Sequence, residues 1–227
     1  MSDPGLAVCR PAQHVMSHEM AMQPALVDFA VFPSRILHPS WRTTLFGYPI
    51  GDAVWSVPAA HRHLSRHIKR ALNLADIQAP NLSSPAWAIA MLEGGALDRF
   101  TRHVGAVAMA SAIRGVIDRR SIQAIVDQIG EGLYTFALQR ASLICPTPVG
   151  VAGLPVLPVD FGAIGLHLQH AGRRITQQYL DQYDPALWAR AQLKLTFVSQ
   201  HHASEPLASM SDALVSRIVL GVKREMT

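Results

Sequence analysis

Apolar positions recur at intervals of three and four along most of the chain, and β-type alternation is nowhere sustained, which predicts a mainly α-helical protein. The clearest period begins after Pro58. There Ala60, Leu64, Ile68, Ala71 and Leu72 share one side of a helical wheel, while Arg62, Arg66, Lys69 and Arg70 lie elsewhere on it. This stretch reads as an amphipathic helix with a basic face. Ser84 as N-cap and Pro85 at the first helical position predict a short helix carrying Trp87, Ile89, Met91 and Leu92, with Gly94 and Gly95 as its stop. Phe100, Val104, Val107, Ala108, Ile113, Val116 and Ile117 then outline a central core helix. Its small residues Gly105, Ala106, Ala110 and Ala112 leave room for a neighbouring helix to come close. Ser121 is placed to cap a helix with Ile122, Ile125, Val126 and Ile129, stopped at Gly130, and Leu133, Phe136, Ala137, Leu143 and Ile144 continue in another.

Toward the C-terminus the pattern predicts weaker helices over Phe161 to His170 and Ile175 to Leu180, interrupted at Gly172. Asp184 followed by Pro185 repeats the N-cap signal ahead of Leu187, Trp188, Ala191 and Leu195. A last helix after Ser211 places Leu214, Val215, Ile218, Val219 and Val222 on one face, with Lys223 and Arg224 at its C-terminal end, where cations suit the helix dipole. Elsewhere the pattern breaks. Residues 1–23 mix Met, His, Pro and Gln without a period and read as a flexible leader, so that residues 24–227 form one irregular multi-helix domain with Pro/Gly-rich connecting loops. From Pro24 a short apolar entry with turns is expected, and Gly47, Pro49, Gly51 and Pro58 punctuate Phe46, Tyr48 and Trp55 in aromatic-anchored, irregular structure. Ala141 to Val159 carries no charge, yet prolines at 146, 148, 155 and 158 forbid a spanning helix; a covered loop is the better account.

Composition narrows the function more than the fold. Apolar residues make up 49%, ample for a core, while charged residues reach only 16%, against roughly 25% in ordinary soluble domains. Part of the surface is therefore expected to meet other proteins. Lys and Arg outnumber Asp and Glu by 20 to 16, a net +4 that suits an acidic partner and falls short of a dense nucleic-acid footprint. Two cysteines, Cys9 and Cys145, exclude a disulfide framework by count, and no basic-then-apolar export signal opens the chain, so a cytosolic, reducing address is expected.

Motifs for chemistry are sparse. Glycines at 150 and 153 lack a following Lys-Ser or Lys-Thr, so no phosphate-cradling loop is present and no cofactor is expected. His63 and His67 lie four apart with His61 close by, but the Arg62, Arg66, Lys69 and Arg70 field opposes a dication, and a solvated basic face is the plainer reading. His14, His18 and Glu19 fall in the leader, and His201 and His202 in a polar loop. Leu143, Ile144 and Pro146 make Cys145 a core thiol rather than a nucleophile, and acids such as Asp98, Asp118 and Asp184 sit at caps and turns. Two helices meeting at Gly130 suggest a helix-turn-helix, yet from Leu133 to Ile144 only Arg140 is charged, too little to contact phosphates and base edges. A basic helical nucleic-acid-binding regulator stands as the alternative function, ahead of a histidine-centred enzyme.

Three segments carry a family resemblance: Ile36-Leu37-His38-Pro39-Ser40-Trp41, Ile129-Gly130-Glu131-Gly132-Leu133-Tyr134-Thr135-Phe136-Ala137-Leu138-Gln139-Arg140, and Ala189-Arg190-Ala191-Gln192-Leu193-Lys194-Leu195. They resemble the "HPSW", "LGE..Y.FAL.R" and "R..LKL" segments of the SctK (YscK/PscK) proteins of type III secretion, over residue 26 or so to the end. The resemblance implies a soluble, non-enzymatic adaptor of the cytosolic sorting platform. It would link the inner-membrane ring protein SctD to pods built from SctQ, with SctL and the ATPase further inward, and would be membrane-proximal only through those partners. It implies no catalytic residues. The Pro146 to Pro158 loop and the His-rich Ala60 to Arg70 helix depart from the family pattern. For His38-Pro39-Ser40-Trp41 the physical reading is structural: Pro39 fixes a turn, Trp41 fills a core pocket, and Ser40 or His38 caps the next segment. Arg62, Arg66, Lys69 and Arg70 are the candidate partner-binding residues.

Overall fold

The computed structural model describes residues 24–77, 81–146, 161–197 and 210–226, all but the loops of them helical and none in a strand. The leader, most of the Pro-rich loop, and His201 and His202 lie outside the described residues. In chain order the helices are α1 (residues 24–30), α2 (Pro33–Ile36), α3 (Trp41–Phe46), α4 (Asp52–Trp55), α5 (Ala60–Ala71), α6 (Pro85–Ala90), α7 (Gly94–Arg114), α8 (Arg119–Ile129), α9 (Glu131–Gln139) and α10 (Ala141–Ile144). A 3₁₀ turn at Phe161–Ala163 leads into α11 (Ile164–Asp181), then α12 (Pro185–Ala191), a 3₁₀ turn at Gln192–Lys194, and α13 (Asp212–Glu225).

The axis of the fold is α7. Every residue from Val104 to Ala110 is buried, so this stretch is apolar on all sides and must be enclosed, and α9, α10, α11 and α13 do so. The small residues decide how closely α11 lies. A methyl group at Gly105 would press on the Leu168 carbonyl, 2.9 Å from its carbon, and one at Gly172 would lie 2.7 Å from the Thr101 carbonyl carbon and 3.0 Å from the Gly105 nitrogen. Gly172 therefore does not interrupt a helix; α11 runs through it unbroken because the site needs backbone-to-backbone contact. The buried hydroxyls at this crossing are satisfied within their own helices, Thr101 Oγ1 donating to Asp98 O at 2.9 Å and Thr176 Oγ1 to Gly172 O at 2.8 Å.

The side chains gather in three apolar clusters. The main core joins α1, α6, α7 and α10 to α11, α12 and α13 around Phe29, Trp87, Phe100, Tyr179, Trp188 and Ile218. A second, around Met109, Ile113, Ile125, Ala137 and Leu168, seats α8 and α9 against α7 and α11. A third holds the α2 to α5 layer through Leu37, Trp55, Leu64, Ile68, Leu74 and, from far along the chain, Leu193.

The helix boundaries obey local chemistry, though several differ from the sequence pattern: α7 ends at Arg114, so Val116 and Ile117 lie beyond it, and Leu133 to Ile144 form two helices, α9 and α10. Ser84 accepts from Ala86 N, Asp184 from Ala186 N and Ser211 from Leu214 N, each capping its helix. At α8 the cap is Asp118, not Ser121: its Oδ2 accepts from Ser121 N at 2.8 Å and Ser121 Oγ at 2.9 Å, and the backbone bond leads the effects that lower its pKa. Gly94 and Gly95 do not stop α6, which ends at Ala90; they open α7. Gly94 is needed there because a Cβ would lie 2.6 Å from the Lys194 carbonyl oxygen. Gly130, with φ +85, does end α8, and α12 tightens after Ala191 so that Leu195 is extended rather than helical.

Glycines with the same name therefore carry opposite predictions. Gly105→Ala and Gly172→Ala should each lower stability by about 3 kcal/mol, because the obstructing atoms are backbone and cannot swing away. Gly95→Ala, which meets nothing within 4 Å, should raise it by about 0.5 kcal/mol. Thermal unfolding of the three variants checks the signs.

Candidate functional site

Two constellations stand out, both on the α2 to α5 layer. The first is a clasp between His38–Trp41 and residues 193–197. His38 N donates to Leu193 O at 2.7 Å, Trp41 Nε1 to Leu195 O at 2.9 Å and Phe197 N to Ser40 Oγ at 2.7 Å. The Trp41 and Phe197 rings meet edge to face, centroids 4.8 Å apart. Ser40 stands at the N-terminus of α3 but its side chain does not cap that helix. Its hydroxyl lies 2.8 Å from His38 Nδ1, and its N–H donates to the same nitrogen at 3.2 Å. The Ser40 hydroxyl thus accepts from Phe197 N–H while its backbone N–H donates to Nδ1, so one residue joins both sides of the clasp. Pro39 is exposed at the turn, and Trp41 is half-buried, packed against the third cluster. Two of the quoted motif segments, 154 residues apart where Trp41 meets Leu195, thus hold each other.

Between the two leucines of the late segment, Lys194 does what the pattern did not disclose. Leu193 enters the third cluster and Leu195 the main core, while Lys194 Nζ donates to Ala90 O and Leu92 O, both at 2.9 Å, and sits 4.7 Å over the Phe29 ring. One ammonium thereby ties α1, the end of α6 and the turn before α7 to residues 193–195. Burial pulls its pKa down to about 8, against the attraction of Glu93. Arg190, four residues earlier, is wholly buried; its Nη1 lies 3.5 Å from Ala186 O, and Nε and Nη2 have no hydrogen-bond partner among the described residues. Desolvation lowers its pKa, and Asp76 and Asp184 oppose that. A polar residue between apolar ones at a helix end was the only available signal for either side chain.

The second constellation is a groove along α5. Leu64, Ser65 and Ile68 face inward, and α2 is stitched to α5 by Ser34 Oγ at 2.7 Å from Ser65 Oγ and 2.9 Å from His61 Nδ1. The outward face brings together all four candidate cations. Arg62, Arg66, Lys69 and Arg70 line an open groove of about 710 Å³, walled by Val31, Phe32 and Leu74 and edged by Asp76. Lys69 pairs with Asp76 at 3.1 Å, whereas Arg62, Arg66 and Arg70 form no ion pair among the described residues. No acid lies on α5 itself. Two of the three histidines of this helix are otherwise engaged: His61 meets Ser34, and His67 stacks on Phe46, centroids 4.5 Å apart, with its Nε2 3.0 Å from Leu45 O, while His63 is exposed. Among the described residues no three His, Cys, Asp or Glu side chains converge as metal ligands, and Cys145 is buried.

The helix-turn-helix geometry gains little from the structure. Leu133, Tyr134, Phe136 and Leu138 of α9 pack on the second cluster, leaving Glu131, Thr135, Gln139 and Arg140 outward, a face with as many acids as bases. Among the described residues no helix is long and apolar enough to cross a membrane.

Fold and site together define a mainly α-helical protein whose frame is closed by side chains bonded to backbone, with a cationic groove on its N-terminal layer. The chain belongs to the YOP proteins translocation protein K (YscK) family, which matches it over residues 16–227, and it is a type III secretion protein. No curated protein and no solved structure matches it.

Two measurements test the clasp. Trp41→Phe keeps a ring and removes the donor to Leu195 O, so it should cost about 1–2 kcal/mol and speed hydrogen exchange at the Phe197 amide. For Lys194 the folded chain releases its proton near pH 8 while the unfolded chain holds it to about 10.5, so the unfolded state binds more protons in that window and stability rises with pH through it. Chemical unfolding at about pH 7.5 and 9.5 should show the native protein gaining on Lys194→Met as pH rises.

Proposed function

We propose that this chain is a non-enzymatic adaptor of the type III secretion sorting platform, joining an SctD-type inner-membrane ring protein to SctQ-type pods, and through them to SctL and the ATPase. In this reading it works in the cytoplasm, at the inner membrane only through its partners, with residues 1–23 as a leader to a domain spanning 24–227. The observation that carries it is the clasp. The family-like residues His38, Ser40, Trp41, Leu193, Lys194 and Leu195 are spent on tying an early and a late segment of the chain into one frame. Residues so used specify a rigid spacer, and a spacer that must keep two partners in register needs its own ends fixed first.

The groove arginines favour a second reading, a nucleic-acid-binding regulator, since exposed cations on one helix also suit phosphates. The apolar walls weigh against it. Crosslinking and pull-down from a secreting cell separates the two. Recovery of the SctD-type and SctQ-type proteins together is expected; recovery of nucleic acid without either would overturn the adaptor.

A further inference from the structure

We infer that the α5 groove is a docking site for an acidic amphipathic helix of a protein partner, with carboxylates at four-residue spacing. The inference rests on the adaptor reading for its setting and on the groove for its chemistry. Arg62, Arg66 and Arg70 repeat every fourth residue, about 6 Å apart along the helix, and project from a face that α2 and the third cluster leave open. Rows of this kind pack best against the same four-residue rows of another helix, which then presents its own side chains at the same interval. Guanidinium groups bind carboxylates bidentately, and these three have no ion-pair partner among the described residues.

The walls select the partner's class. Val31 is 48% exposed beside the arginines, and Phe32 continues that apolar margin, so the occupant needs apolar residues flanking its acids. A phosphate backbone or a lipid headgroup layer offers charge without apolar side chains to place on that margin, while Asp76 is already matched by Lys69 and leaves the three arginines as the groove's unpaired charge among the described residues. An amphipathic helix meets both demands.

The test uses the full chain and a labelled synthetic helical peptide of about four turns, with glutamates every fourth residue and leucines beside them, followed by fluorescence anisotropy. Binding is expected to weaken with salt and to fall at least ten-fold in Arg62→Glu/Arg66→Glu. Arg119→Glu/Arg120→Glu, the same charge change on exposed residues of α8, should bind as the native protein does. Thermal unfolding verifies that both variants fold. Equal binding by the groove variant overturns the inference, as does equal binding of a peptide with the same composition and its glutamates scattered round the helix. Groove-dependent binding of single-stranded DNA or phosphatidylserine vesicles, without the peptide, overturns it too. Pull-down keeps the two readings apart. If native and groove-variant chains recover the ring and pod proteins equally, the groove inference falls and the adaptor stands. If neither recovers them while the peptide still binds in the groove, the groove stands and the adaptor falls.

Discussion

The contact on which the fold depends is a crossing of two helices with no side chains between them. At Gly105 and Gly172 the backbones of α7 and α11 touch, and neither position has room for a methyl group. That closeness sets the distance at which Phe100, Val104, Leu168, Ile175 and Tyr179 interlock, each buried, and each such side chain contributes about 1.5–3 kcal/mol on leaving water. Moving the helices apart by one methyl would loosen all of them together, because close-packed interiors have no slack to absorb it. α13, α10 and α9 then pack round an axis whose geometry is already fixed.

Around this body the N-terminal layer is attached by a short strap. Leu193 and Leu195 point into different clusters, and Lys194 between them reaches backbone carbonyls at the end of α6. The strap also presses on Gly94, which is why a glycine opens α7 where one would normally close a helix. The same strap takes up the bonds of His38, Ser40 and Trp41, so the layer that carries the α5 groove is seated on the main core by polar bonds to backbone and by Leu193. Such bonds are directional. They hold the groove at a defined angle to the body, which a purely apolar contact specifies less sharply.

Much of this was legible in the amino-acid pattern. Helix content, the N-caps at Ser84, Asp184 and Ser211, the stop at Gly130, the central helix and its small-residue face, and the basic side of Ala60 to Ala71 depend on spacings of three and four and on local bonds, which neighbouring residues determine among themselves. The type III secretion family was legible too, from three short segments whose meaning no period conveyed. The cations of α5 could be placed on one helix but not in a groove, since Val31, Phe32 and Asp76 reach it from other parts of the chain.

What only the tertiary structure decided are the positions where a distant backbone makes the demand. Gly94, Gly95 and Gly172 read as helix stops because glycine weakens a helix when considered alone; Gly94 and Gly172 lie within helices and must be glycine because another segment is too close for any Cβ. Lys194 and Arg190 enter the sequence only as letters of the late family-like segment; the fold half-buries Lys194 on backbone carbonyls and buries Arg190 entirely. The sequence by itself determined the helices and the family, which depend on order along the chain. Only the fold decided which helices touch, where the strap crosses and what surrounds each cation, because those depend on distances between residues that the order of the chain does not contain.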